Sequence, residues 1–263
     1  MKANRIRPGH SVDLDDFDPD DTGSLGKAEG VKKNQKIQDR LGELQELLYA
    51  GHEHKVLVVL QGMDTSGKDG TIRHVMSAVN PQGVGIASFK KPTDEELDHD
   101  FLWRVHARVP GKGEMVVFNR SHYEDVLVVR VHNAVPETVW KKRFEQINDF
   151  ERMLSENGTT VLKFFLHISK DEQLKRLQSR IDDPTKRWKF QHGDLEERKL
   201  WGDYRKAYQD ALQKTSTKWA PWHVIPANAK WYRNYLVGSI VVDALEDLDM
   251  KYPQPDLGRE IID

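Results

Sequence analysis

Between Val56 and Arg73 the chain reads Val-Leu-Val-Val-Leu-Gln-Gly-Met-Asp-Thr-Ser-Gly-Lys-Asp-Gly-Thr-Ile-Arg, and few folds can hold such a stretch. A short apolar run rich in β-branched residues marks a strand buried on both faces. A glycine-punctuated turn follows, and Asp69 to Val79 reads as a helix. Gly62 and Gly67-Lys68 have the G-x-x-x-x-G-K spacing of a phosphate-binding loop. Glycines let the backbone curl so that successive N–H groups point inward, and the helix N-terminus adds partial positive charge. Lys68 brings a mobile full charge to the same place, and Ser66 and Gly70 belong to the same loop. Asp69 departs from the usual form, standing where Ser or Thr would hold Mg²⁺. A carboxylate there, with another at Asp64, is compatible with bound phosphate if Mg²⁺ bridges them or if Asp69 turns away to cap the helix.

Any anion site must be a local concentration of cations, because Lys+Arg 40 against Asp+Glu 42 leaves a net charge of −2. No global basic field points to nucleic acid. The absence of cysteine removes disulfides, thiolate metal sites and cysteine nucleophiles together. No apolar stretch reaches membrane-spanning length and no signal-like apolar core opens the chain, so the expectation is a cytoplasmic protein without a membrane partner.

Six aspartates between Asp13 and Asp21 give residues 1–31 the look of an acidic arm, on the surface or partly disordered. A calcium loop would need a glycine and a final glutamate that are out of register. Leucines and Ile37 recur at helical spacing from Lys32 to Tyr49. Later strands are expected at Val84–Phe89, Glu114–Phe118, Thr160–Ile168 and Trp222–Ile225, with helices from Thr93 through Arg104, from Pro136 to Met153, and from Tyr232 to Leu248. Thr93 with Glu96, and Ser169 with Glu172, form capping boxes. Five strands alternating with helices make an α/β three-layer sandwich with a parallel five-stranded sheet.

Ligands in such sheets bind at strand ends followed by helix starts. Lys90, Lys91 and Arg104 follow the second strand. Asn119 ends the third, where related loops place an acidic residue that organises Mg²⁺, with Arg120, Glu124 and Asp125 just beyond. Past the fourth strand, Lys175, Arg176 and Arg180 lead into Lys186-Arg187-Trp188-Lys189-Phe190, three cations and two aromatics in five residues. A basic linker at that place matches the lid of nucleotide monophosphate kinases, which closes on the phosphoryl group and excludes water.

In combination and in order, Gly62 to Gly70, Pro92-Thr93 with Glu96, Phe118 to Asp125 and Lys186 to Lys189 resemble the polyphosphate kinase 2 family, from about Lys32 to Pro253. Asn119 with His122-Tyr123-Glu124-Asp125 resembles its class III subgroup, associated with phosphorylating both AMP and ADP. The resemblance implies a thymidylate-kinase-like P-loop domain over 32–263 with a helical lid at about 180–197. It implies inorganic polyphosphate as donor, AMP or ADP (with GMP and GDP as further candidates) as acceptor, reversibility, and a homo-oligomer, dimer or tetramer. Lys68, Arg120, Arg180, Lys186, Arg187 and Lys189 would line the polyphosphate groove. Mg²⁺ or Mn²⁺ would sit on Asp64 with Asn119 or Asp125, and Lys91, Pro92, Thr93, Arg104, Glu124 and Asp125 would meet the nucleotide. An acceptor that is already a phosphate has a second pKa of roughly 6 and needs no strong general base, so the demand falls on cations and metal placed in line. His122 is a candidate phosphohistidine, with a supporting hydrogen-bond role as its other reading. An ATP-dependent nucleoside monophosphate kinase and a non-catalytic nucleotide-binding protein are the alternatives.

Overall fold

The structure, a computed structural model, describes residues 4–254; the ends of the expected arm and of the expected kinase domain lie outside the described residues. In chain order the strands are β1 (Asn4–Arg5), β2 (Lys55–Gln61), β3 (Val84–Ser88), β4 (Met115–Asn119), β5 (Thr159–His167) and β6 (Trp222–Pro226). The helices are α1 (Lys27–Gly51), α2 (Lys68–Val75), α3 (Asp94–Asp98), α4 (Trp103–His106), α5 (Val128–Val131), α6 (Glu137–Glu156), α7 (Lys170–Asp182), α8 (Gly193–Lys199), α9 (Trp201–Thr215) and α10 (Lys230–Glu246).

The sheet runs β1-β6-β5-β2-β4-β3, and every pair except β1–β6 is parallel. It is therefore a mixed sheet of six strands, not a parallel sheet of five. The extra strand comes from the acidic arm, where Asn4 and Arg5 pair antiparallel with Val224 and His223. Two residues carry no readable periodicity, but they cover what would otherwise be an open edge of β6. The arm is also fastened by Ile6, Val12 and Leu14, all buried. It is packed surface structure, and partial disorder does not describe residues 4–25.

Strand β2 is central, and all of its residues but Lys55 are buried, as expected for a strand covered on both faces. Helices α1, α2 and α10 pack together as one layer and α5, α6 and α9 as the other. Leu41, Leu44 and Leu48 bury the inner stripe of α1 against the core. The helix expected to run from Thr93 through Arg104 is broken instead. The capping box at Thr93 and Glu96 is present, but Asp100 Oδ1 accepts the Leu102 backbone N–H at 2.9 Å, and His99 is extended and stacks on Trp103. A short polar side chain that captures a nearby N–H competes with helix continuation.

With β4 on one side of β2 and β5 on the other, successive connections leave the centre of the sheet in opposite directions. The carboxyl ends of β2, β4 and β5 therefore open onto one crevice, the usual ligand position in open α/β sheets.

Candidate active site

The loop after β2 is shaped by two glycines. Gly67 has φ 103°, and a Cβ on it would run into the Arg233 guanidinium. A Cβ on Gly62 would stand 2.7 Å from both the Leu166 carbonyl oxygen and Ser66 Oγ. Between them Thr65 takes φ 64°, a strained left-handed conformation for a β-branched residue. Lys68 Nζ folds back to donate to the carbonyls of Gly62 at 2.7 Å and Met63 at 3.3 Å. Burial holds its ammonium below the usual lysine range, with Asp64 opposing.

Two buried guanidiniums hold this loop from below. Arg176 donates to the Thr65 and Ser66 carbonyls at 2.9 Å each, to those of Ala227 and Asn228 at 2.7 and 3.0 Å, and to Glu172 at 2.7 Å. Arg233 donates to the Ser66 carbonyl at 3.2 Å. Burial, and then Arg176, push the Arg233 pKa down to about 10.

At the end of β4, Asn119 Nδ2 donates to Asp69 Oδ1 at 2.6 Å. The misplaced carboxylate of Asp69 is thus turned toward an amide and does not cap α2, whose N-cap Gly67 has no side-chain cap. Asn119 Oδ1 is left as the atom able to face a cation or its water. Arg120 has φ 62° and reaches Asp64 at 3.4 Å. Behind it Gln61 Nε2 donates to Ser121 Oγ at 3.2 Å and Glu124 Oε1 at 3.1 Å. Burial raises the Glu124 carboxyl, opposed by Arg120 and Lys68. Deeper still, Glu151 Oε1 accepts from Tyr123 at 2.8 Å and His122 at 3.2 Å. Lys163 Nζ donates to Glu151 Oε2 at 2.6 Å, Tyr123 at 2.8 Å and the Thr215 carbonyl at 2.7 Å. His122 is fully buried in this network, out of reach of a substrate in the crevice, which leaves it the supporting role.

Two cavities meet at the loop. One, of about 730 Å³, is lined by ten lysines and arginines against the carboxylates of Asp64, Asp69, Glu172 and Asp194. Its far end is set by Lys175, Arg180, Lys186, Lys189 and Lys230. The other, of about 310 Å³, has Trp201, Tyr204 and Tyr208 on its wall, and its carboxylates, Asp64, Glu124, Asp194 and Glu197, outnumber its cations, Lys68 and Arg120. Tyr204 donates to Glu197 at 2.6 Å. Asp64, Lys68 and Arg120, with Gln191 and Asp194 from the segment around the start of α8, belong to both cavities.

The structure brings Gly62, Asp64, Gly67, Lys68, Asp69, Gly70, Asn119, Arg120, Glu124, Arg180, Lys186 and Lys189 to these walls. Ser66 lies directly beneath, its buried hydroxyl without a partner. Other candidates stand apart from these walls. Asp125 lies away from Asp64, bonded to Arg143 at 2.8 Å, and burial raises it to about 6 despite Arg143 and Arg104. Arg104 is spent on the Lys90 carbonyl and Glu96, and Arg187 on the Ile181 carbonyl at 2.8 Å. Lys91, Pro92 and Thr93, which lead into α3, line neither cavity; Lys90 is the residue that does.

Residues that sequence reasoning did not single out include Lys230, Arg233, Trp201, Tyr204 and Tyr208. For the first two a signal existed. Cations in the first turn of a helix oppose its dipole, so the pair at the start of α10 is a placement that the helix alone does not explain. The aromatic wall had no such signal, since its spacing along α9 is that of any amphipathic helix.

A family model described as Polyphosphate kinase 2 matches residues 24–253. An AMP/ADP-polyphosphate phosphotransferase of Meiothermus ruber is 60% identical, over 100% of this chain and 99% of its own length. An ADP-polyphosphate phosphotransferase of Rhodopseudomonas palustris is 44% identical, over 96% and 92%. The crystal structure of polyphosphate kinase 2 from Arthrobacter aurescens superposes with a TM-score of 0.93 at 48% identity, covering 97% of this chain and 91% of that one. With a loop, a crevice and a match of this extent, the chain belongs to the polyphosphate kinase 2 family.

Proposed function

We propose that this protein transfers phosphoryl groups from inorganic polyphosphate to AMP and ADP, with the donor in the cationic channel and the nucleotide in the aromatic cavity. The observation that carries this reading is that Asp64, Lys68 and Arg120 line both cavities. A linear polyanion suits the larger one, where cations outnumber carboxylates in a chain whose net charge is −2. A nucleoside offers a flat ring to tryptophan and tyrosine and hydrogen-bonding edges to Gln173, Gln191 and Glu197.

At the seam, Lys68 and Arg120 would neutralise the phosphoryl group as it moves and hold donor and acceptor in line. No base is needed, as the acceptor oxygen is already largely ionised. Gln191 and Asp194 reach both cavities from the lid and would shut water out of the seam. Mg²⁺ fits the residues present. No cluster of three or more histidines or carboxylates among the described residues could cage a metal, but Mg²⁺ characteristically takes one or two carboxylates and completes its shell with phosphates and water. Asp64, with Asn119 Oδ1, would hold it, and it would supply charge neutralisation between the two substrates.

Among the described residues no helix is long and apolar enough to cross a membrane, and a cytoplasmic location belongs to this reading. So does a homo-oligomer, for which exposed Ile86 on the edge strand β3 and exposed Tyr49 offer apolar surface; sedimentation velocity measures it. The decisive assay incubates the protein with Mg²⁺ and AMP or ADP, adding short polyphosphate to one reaction and ATP to another. ADP and ATP formed with polyphosphate support the reading. Products formed from AMP and ATP alone would make the chain an ordinary nucleotide kinase.

A further inference from the structure

The acidic arm is held far more firmly than its composition suggests, and its contacts converge on one helix. On α9, Trp201, Tyr204 and Tyr208 face the smaller cavity. The neighbouring stripe of the same helix is occupied by the arm. Arg205 pairs with Asp13 at 3.3 Å and Asp15 at 2.6 Å, and Gln209 Nε2 donates to the Val12 carbonyl at 3.1 Å. The C-terminal end of α9 is fastened too, because Ser216 Oγ donates to the Ile6 carbonyl at 2.7 Å. Farther along, the Asn228 N–H donates to the Pro19 carbonyl at 3.1 Å. That is the loop whose carbonyls Arg176 joins to the phosphate loop.

We propose that residues 4–21 form a strap that positions the aromatic wall of the acceptor cavity against the phosphate loop, with Arg205 as the positioning residue. Ile6, Val12 and Leu14 anchor the strap in the core, and the carboxylates between and beside them set the rotation of α9 through the Arg205 guanidinium. The pairing of Asp13 and Asp15 with Arg205 touches no residue of the cationic channel, so its effect falls on the nucleotide and not on polyphosphate. The inference rests on the assignment of the aromatic cavity to the acceptor.

The test measures kcat and the two KM values separately. Asp13→Asn with Asp15→Asn removes the pairing while leaving the apolar anchors, so the protein stays folded. The expected result is a rise of about two- to fivefold in KM for AMP, the scale of an exposed ion pair, with KM for polyphosphate unchanged. The exchanged pair Arg205→Glu with Asp15→Lys should restore KM for AMP, which a merely structural weakening would not. Trp201→Ala serves as the separate control on the cavity. If Trp201→Ala raises KM for AMP and the aspartate variant moves neither KM, the strap is overturned and the cavity assignment stands. If Trp201→Ala and the aspartate variant both act on KM for polyphosphate instead, the cavity assignment and the strap fall together.

Discussion

The two cavities share a wall and differ in almost everything else. The channel is built of long cationic side chains from α7, the basic stretch after it and the start of α10, whose charges add whatever their exact positions. The aromatic cavity is built of flat rings on α9, whose use depends on where the helix sits. Point charges act over about 10 Å in dilute salt, whereas stacking and hydrogen bonding are lost within a fraction of an ångström. Beyond the two buried arginines under the loop, the tolerant site can therefore be lined by solvent-reaching lysines, while the exacting one depends on the placement of one helix.

Lys68→Ala strikes the shared wall and should have the largest effect, a fall of about 10³-fold in kcat with either acceptor, with circular dichroism unchanged. Activity close to that of the parent would remove Lys68 from the seam and break the comparison at its centre.

Lys163→Met tests the buried support behind Arg120. Removing one partner of a fully buried ion pair should lower unfolding stability by about 3–5 kcal/mol, read by denaturant titration. Adding Glu151→Leu should recover part of it, since the uncompensated carboxylate is then gone.

Acid should destabilise the protein in part through the histidine that ends β5. Burial, and then Arg205, lower His167 to about 4 from an ordinary value of 6.5. The unfolded chain therefore binds this proton first as pH falls. The stability it contributes is complete above pH 6.5 and is lost as pH drops toward 4, on the order of 3 kcal/mol. Thermal melts across that window should show the loss, and it should shrink in His167→Leu.

Lys230→Ala should raise KM for polyphosphate about tenfold, the worth of one charge-assisted hydrogen bond, and leave KM for AMP unchanged. The smallest effect is expected on the other side. Tyr204→Phe loses the hydroxyl bonded to Glu197 and should raise KM for AMP by about two- to fivefold. An equal rise for both substrates in either variant would mean that the two cavities are not separate sites.

The strand-loop-helix around Gly62, Gly67 and Lys68 was legible in the sequence because its signals are local: an apolar run, two glycines with a backbone task, and one lysine. The core strands, the capping box at Thr93, the N-cap at Ser169 and the basic stretch after α7 were legible for the same reason, although Glu172 turns to Arg176 and does not complete a second box. Charge at a strand end brought Arg120 into view, and the basic run from α7 into the linker after it brought Arg180 and Lys186. Direction could not. Asp125 and Arg104 lie in the expected segments, but the break at Asp100 and the pairing with Arg143 turn them away from the crevice.

What only the tertiary structure decided rests on contacts between distant segments. Asp69 is explained by an amide fifty residues away in Asn119, and Lys163 by a carboxylate on α6. The aromatic wall depends on how α9 packs against α5, α6 and the arm. Sequence periodicity says which face of an element is apolar, and motif spacing says where phosphate can bind. Neither says which apolar face a neighbour will cover, because that is settled by the packing free energy of the whole chain and not by any stretch of it.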